Sequence, residues 1–115
     1  MWVFTESGFV SAVCHYSEEG VVVVRSRDHQ SLEALAEMTD APIENSPNND
    51  YPYRVHITKE QFQNWLVKSV TEMDYTNFKN HVYETRGSDF AHALSGVWSV
   101  MHDVEDDGAR QRRGR

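Results

Sequence analysis

The chain has 115 residues, of which 39% are hydrophobic and 25% are charged, and its formal net charge is −7. This length fits one domain with its own core, and no run approaches the ~18 apolar residues that a membrane span needs. Without an export signal the chain is expected to be cytoplasmic. The acidic balance argues against binding of nucleic acid, DNA or RNA, by the folded part.

The first 27 residues indicate three strands, at 2–4, 9–16 and 21–27, separated by turns. The middle strand alternates between two sets of residues: Val10, Ala12, Cys14 and Tyr16 on one face, and Phe9, Ser11, Val13 and His15 on the other. We expect the first set to face the core, because the second carries a hydroxyl and an imidazole. Cys14, the one cysteine, cannot form an internal disulfide and is expected to be a small buried residue.

A short helix is predicted from residue 28 to the residues before Pro42, followed by an edge strand at 43–45. The turn-rich segment 46–50 then leads into an alternating strand whose inward residues are predicted to be Tyr51, Tyr53, Val55 and Ile57. This parity places Arg54 and His56 on the outward face.

The last third of the folded part is predicted to be helical. Thr58 and Gln61 form a capping box pattern, and the apolar stripe behind it comprises Phe62, Trp65, Leu66, Val70 and Met73. A short helix through Phe78 and Val82 ends at Gly87, and the apolar positions of a final helix are Phe90, Leu94, Val97, Trp98, Met101 and Val104. The stripes of both longer helices are expected to pack on the N-terminal half.

These elements predict an α+β fold of order β-β-β-α-β-β-α-α, with an antiparallel sheet of about five strands and helices packed on one face. We expect residues 1–106 to form a single domain. Residues 107–115 are expected to form a disordered Arg-rich tail, because blocks of like charge replace apolar residues there. This tail is the part of the chain that could contact nucleic acid.

The sequence contains no motif that specifies a reaction. It has neither a nucleophile elbow nor a phosphate-binding glycine loop, and Cys14 and His15 are neighbours that point to opposite faces of a strand. Histidine–carboxylate spacings are of the kind that arise by chance in a chain with 18 acidic residues and 6 histidines. We therefore predict no catalytic residue, cofactor or metal site, and favour a non-enzymatic protein. The aromatic residues are assigned to the core rather than to a base-stacking platform, and comprise Trp2, Phe4, Phe62, Trp65, Phe90 and Trp98.

Two groups of residues are candidate binding sites. The first is the outward sheet face, where parity gathers Arg25, Arg27, Arg54 and His56, with His15 beside them. It holds three of the seven basic residues outside the tail, which indicates an anion site, an acidic-partner patch or a dimer face. An ordinary solvated face with cross-strand ion pairs explains the same residues. The second group is the turn with Asp74, Asn77 and Lys79, which helix capping and packing also explain.

Several segments together resemble a family of small uncharacterised proteins of bacteria and bacteriophages. They are Met1–Phe4 with Gly8–Val13, Val23–Arg27, Asp50–Arg54, Asp74–Lys79 and Val97–Met101. The resemblance covers roughly residues 1–102 and leaves out the tail. It implies a compact domain and a phage-borne or mobile-element setting, and it assigns no catalytic residue. In that setting an acidic protein is expected to bind a host protein, such as a defence nuclease or a regulator.

Two functions therefore stay open from the sequence. One is an acidic protein-interaction module that binds a protein partner, with no membrane association and with an unknown oligomeric state. The other is a small enzyme or ligand-binding domain that holds an anionic small molecule on the Arg54 and His56 face.

Overall fold

The structure, a computed structural model, describes residues 1–106. By its internal contacts the chain divides into two compact units, Met1–Thr76 and a second that begins at Asn77. The predicted tail at 107–115 lies outside the described residues, and the prediction of a single domain stays a prediction. Among the helices of residues 1–106, none combines the length and the apolar character needed to cross a bilayer.

The first unit is built on a five-stranded antiparallel sheet. Its strands are β1 (Trp2–Thr5), β2 (Gly8–Cys14), β3 (Val21–Ser26), β4 (Glu44–Asn45) and β5 (Tyr53–Thr58). Their order across the sheet is β1-β2-β3-β5-β4, so β2, β3 and β5 are interior strands, and β1 and the two-residue β4 form the edges. The strand count and the antiparallel pairing confirm the predicted α+β fold.

Two helices, α1 (Gln30–Thr39) and α2 (Lys59–Thr71), cover one face of this sheet. The buried core between sheet and helices draws on alternate strand residues and on one stripe of each helix, comprising Val10, Ala12, Val22, Val24, Leu32, Leu35, Val55, Ile57, Phe62 and Trp65. The opposite sheet face has no helix of this unit against it. This one-sided burial explains the alternation in β2 and β5.

The predicted capping box at the start of α2 is confirmed. The Thr58 hydroxyl accepts from the Gln61 amide at 3.1 Å, and the Gln61 side chain accepts from the Thr58 amide at 2.9 Å. The predicted stripe is only half right, because Val70 and Met73 are exposed while the earlier members of the stripe are buried or half-buried. Only the first turns of α2 therefore cover the sheet.

A buried serine joins the start of β2 to the start of α1. The Ser31 hydroxyl accepts from the Phe9 amide at 3.2 Å and donates to the Asp28 carboxylate at 2.5 Å. The Ser26 hydroxyl, also buried, donates to the Asp28 carbonyl at 2.6 Å. These bonds connect Ser26 at the end of β3 and Phe9 in β2 to the N-terminal end of α1.

The second unit contains α3 (Phe78–Arg86), α4 (Ser88–Val100) and a 3-10 turn (Met101–Val104). Gly87 lies between the two helices with φ of 90°, a conformation that favours glycine and confirms the predicted break. The two helices contact each other, and Val82 and Ala91 are buried. The prediction that the α4 stripe is buried is wrong, since most of its members are exposed: Val97, Trp98, Met101 and Val104.

Candidate functional site

The candidate site is the face of the sheet opposite α1 and α2, which we call the open sheet face. Strand register aligns one row of residues across all five strands: Trp2, Ser11, Arg25, Arg54 and Glu44. A neighbouring row comprises Val13, Val23 and His56. The predicted parity is thereby confirmed for Arg25, Arg54 and His56, which share this face.

A cluster of Arg25, Arg27, Arg54 and Tyr51, which we call the arginine–tyrosine cluster, lies where β3 ends and β5 begins. The guanidinium carbons of Arg25 and Arg27 lie 4.7 and 4.8 Å from the centre of the Tyr51 ring. Cation–π contact at this distance is favourable and leaves guanidinium N–H groups able to donate. The ring therefore holds two positive charges close together.

The hydrogen bonds of the three arginines go to neutral oxygens. Arg25 donates to the Ser11 hydroxyl at 2.8 Å, Arg27 to the Asp50 carbonyl at 3.0 Å, and Arg54 to the Tyr51 carbonyl at 3.3 Å. None of them forms an ion pair with a carboxylate within residues 1–106. The Nε atoms of Arg25 and Arg54 are buried without a hydrogen-bond partner in that part of the chain.

Arg25 and Arg54 face each other directly across β3 and β5. Cross-strand pairs are worth about 0.2–1 kcal/mol, and like charges in that position are destabilising. Glu44 is next in the row, but its carboxylate lies 3.5 Å from the His56 imidazole instead. The register therefore places two positively charged residues opposite each other, and neither forms an ion pair with a carboxylate of residues 1–106.

The two histidines of this face have local roles. The His15 Nδ1 accepts from the amides of Ser17 and Glu18 at 3.1 and 2.9 Å, which closes the β2–β3 turn. The ring of His56 lies 5.7 Å from the His15 ring, between centres, and contacts Glu44. His56 is thus on the predicted face, beside the arginine–tyrosine cluster rather than within it.

One side of the open sheet face is aromatic, and here the sequence assignment was wrong. Trp2 and Phe4 were expected in the core, but they lie on the open sheet face with Phe9. Phe4 stacks on Phe9 with ring centres 4.7 Å apart, and Trp2 meets Phe9 edge to face at 5.7 Å. Trp2 is 70% exposed. We call these three residues the aromatic cluster.

The hairpin spacing contained the signal for this cluster. Only Glu6 and Ser7 separate β1 from β2, so Thr5 pairs with Gly8. Each residue that precedes Thr5 then pairs with the corresponding residue that follows Gly8. Because Phe9 and Ser11 were already assigned to the outward face, their partners Phe4 and Trp2 had to share it.

Tyr51 also differs from its predicted inward position. Its ring lies 6.4 Å from that of Phe9 and under the two arginines, so it belongs to the open sheet face. The alternation holds from Tyr53 onward, where β5 begins. Pro52 donates no ladder hydrogen bond, so the strand pattern does not extend back to Tyr51.

Cys14, the last residue of β2, was predicted to be buried and is exposed. It lines a surface cavity of about 230 Å³ together with residues 15–21 and Lys59. None of the three clustered arginines lines this cavity.

The second predicted group is not on the sheet. Asp74 follows α2 in the first unit, whereas Asn77 and Lys79 belong to the second. All three side chains are exposed. The Asn77 carboxamide caps α3 by accepting from the Asn80 amide at 2.9 Å, so helix capping accounts for this residue.

Charge is distributed unevenly in the first unit. Glu44 is the one acidic residue within the five described strands, whereas the other acidic residues up to Thr76 lie on helices and connecting segments. The open sheet face therefore carries arginine and aromatic side chains in a chain whose net charge is −7. Over residues 1–106, no group of three or more histidine, cysteine or acidic side chains is placed to hold a metal ion.

Comparison with protein-family models, with curated proteins and with solved structures found no match for this chain. The resemblance to small bacterial and bacteriophage proteins accordingly stays a prediction. The case for a site rests on the chain's own residues: the arginine–tyrosine cluster, the aromatic cluster beside it and the absence of carboxylate partners within residues 1–106.

Proposed function

We propose that the protein is a non-enzymatic binding module that takes a negatively charged partner on its open sheet face. The observation that carries the proposal is the arginine–tyrosine cluster, in which Arg25 and Arg27 stack on one ring and no carboxylate of residues 1–106 pairs with them. Guanidinium groups that have no carboxylate partner within residues 1–106 are suited to carboxylate or phosphate groups of a ligand.

Energetics favour binding over a purely structural role for these arginines. Like charges directly opposite each other, as Arg25 and Arg54 are, weaken strand pairing, and a purely structural role for Arg25 would be served better by a carboxylate at the Arg54 position. An anionic ligand would offset this like-charge repulsion and supply a charged acceptor to guanidinium groups that now donate only to neutral oxygens. A non-enzymatic role follows from the lack of a catalytic motif in the sequence.

Retention on immobilised heparin tests this proposal. A chain of net charge −7 has no overall attraction to a polyanion, so retention at low salt requires a local basic surface. The four tail arginines are first replaced by glutamine, giving the R110Q/R112Q/R113Q/R115Q background. We expect this background protein to be retained and its R25Q/R54Q variant to pass through.

The matched control is K59Q/K68Q, which also removes two positive charges but takes them from α2, away from the arginine–tyrosine cluster. We expect this control to elute at nearly the same salt concentration as the background protein. Equal losses in the two double variants would show that retention follows net charge alone, and the proposal would then be rejected. Circular dichroism of each variant verifies that the fold is intact.

A small anionic molecule is the second candidate ligand, and the convergence of two arginines on Tyr51 is the observation that favours it. A small ligand normally occupies a concave site that buries most of its surface. The cluster instead lies on a sheet face and does not line the cavity near Cys14. A larger partner is therefore preferred. Calorimetric titration with pyrophosphate distinguishes the two candidates, because binding of this small anion to the cluster is expected only if the ligand is a small molecule.

A further inference from the structure

We infer that the partner of the open sheet face is single-stranded nucleic acid, with bases stacked on the aromatic cluster and phosphates bound by Arg25 and Arg54. This inference rests on the proposed function and specifies its ligand. Aromatic rings beside arginines, on the face of an antiparallel sheet opposite its two helices, offer the two contacts that single strands use, π-faces for bases and guanidinium groups for phosphates.

The strand register places these contacts in a line. Trp2, Ser11, Arg25 and Arg54 occupy successive strands of one row. With neighbouring strands about 4.8 Å apart, Arg25 is about 10 Å from Trp2 and Arg54 about 14 Å. A chain that crosses the strands along this row would meet the exposed indole at one end and two guanidinium groups at the other.

The exposed aromatic surface distinguishes the single strand from other anions. Trp2 is 70% exposed, and its contact with Phe9 is edge to face, so much of the indole is open to solvent. A segment made only of Asp and Glu would satisfy the arginines but bring no flat ring to this surface. In a duplex the bases are already stacked on each other, so they are not free to stack on Trp2.

The net charge of −7 led to the expectation that the folded part does not bind nucleic acid, and the distribution of charge weakens that argument. The acidic residues of α1 and α2 lie on the helix side of the sheet, opposite to the open sheet face. Glu44 is the acidic residue on the face itself.

Fluorescence anisotropy with a labelled oligo(dT) of about 12 nucleotides tests the inference, in the background that lacks the tail arginines. Trp2→Ala is expected to weaken binding about 5- to 150-fold, which corresponds to the loss of one base–aromatic stack. Trp2→Phe should restore most of the affinity. Trp98→Ala is the matched control, since Trp98 is equally exposed and lies in the second unit, and it should leave the affinity unchanged.

Salt dependence reports on the phosphates separately. For R25Q/R54Q, the slope of log affinity against log salt concentration should fall by about 1.4, two phosphate contacts at about 0.7 each for a single strand. K59Q/K68Q should keep the slope of the background protein. A duplex of the same length should bind more weakly than the single strand.

Competition with polyglutamate separates failure of the inference from failure of the proposed function. If polyglutamate binds in an Arg25- and Arg54-dependent way while Trp2→Ala leaves oligo(dT) binding unchanged, the partner is an acidic protein and the nucleic-acid inference is overturned. If R25Q/R54Q changes the binding of none of the three ligands, oligo(dT), polyglutamate and heparin, both the inference and the proposed function are overturned.

Discussion

Replacing Leu35 by alanine is expected to lower the free energy of unfolding by about 2–5 kcal/mol. Leu35 is fully buried on the side of α1 that packs on the sheet. The substitution removes three carbon atoms from the core and leaves a cavity that the surrounding strands fill only in part. Since small domains have total stabilities of about 5–15 kcal/mol, this change takes away a large share.

Urea unfolding followed by circular dichroism measures this loss. Met38→Ala on the same helix is the control, because Met38 is 44% exposed and should cost well under half as much. Similar losses for the two variants would contradict the packing of α1 on the sheet.

Ser31→Ala is expected to cost about 1–3 kcal/mol, more than its small volume suggests. The Phe9 amide loses the hydroxyl that accepts its hydrogen bond, and the Asp28 carboxylate loses a donor. Because Phe9 carries the contacts to Trp2, Phe4 and Tyr51, we also expect weaker ligand binding by the open sheet face.

The control for Ser31→Ala is Ser69→Ala on α2. The Ser69 hydroxyl donates to the Trp65 carbonyl within the same helix, so its removal leaves no backbone amide without its acceptor. Its expected cost is a few tenths of a kcal/mol. Equal costs for the two substitutions would show that the link between β2 and α1 contributes nothing specific.

The fold class was predictable because two periods are written clearly in the sequence. Val10 and Ala12 alternate with Ser11 and Val13, and Phe62 and Trp65 follow helical spacing behind a capping box. Whether the later apolar positions of the helices are buried could not be predicted. Val70, Met73 and Trp98 have helical spacing, but periodicity says nothing about how far the covering partner extends.

The candidate site was half predicted. Parity brought Arg25, Arg54 and His56 to one face, yet Trp2 and Phe4 were assigned to the core by hydrophobicity although hairpin register contradicted it. Hydrophobicity gives the wrong assignment for exposed aromatic side chains, because a large apolar residue is usually buried. Tyr51 was misplaced for a different reason, the interruption of the strand at Pro52.

The most direct test of the open sheet face as the binding surface uses the three tryptophans as reporters. They lie in different settings: Trp2 on the open sheet face, Trp65 in the core and Trp98 in the second unit. Incorporation of 5-fluorotryptophan into the background that lacks the tail arginines gives three ¹⁹F signals, which Trp2→Phe and Trp98→Phe assign.

On titration with oligo(dT), we expect the Trp2 signal to shift progressively while those of Trp65 and Trp98 stay in place. A signal of Trp2 that is unmoved when anisotropy shows the protein to be saturated would place the ligand elsewhere, and it would contradict the assignment of the open sheet face as the binding surface.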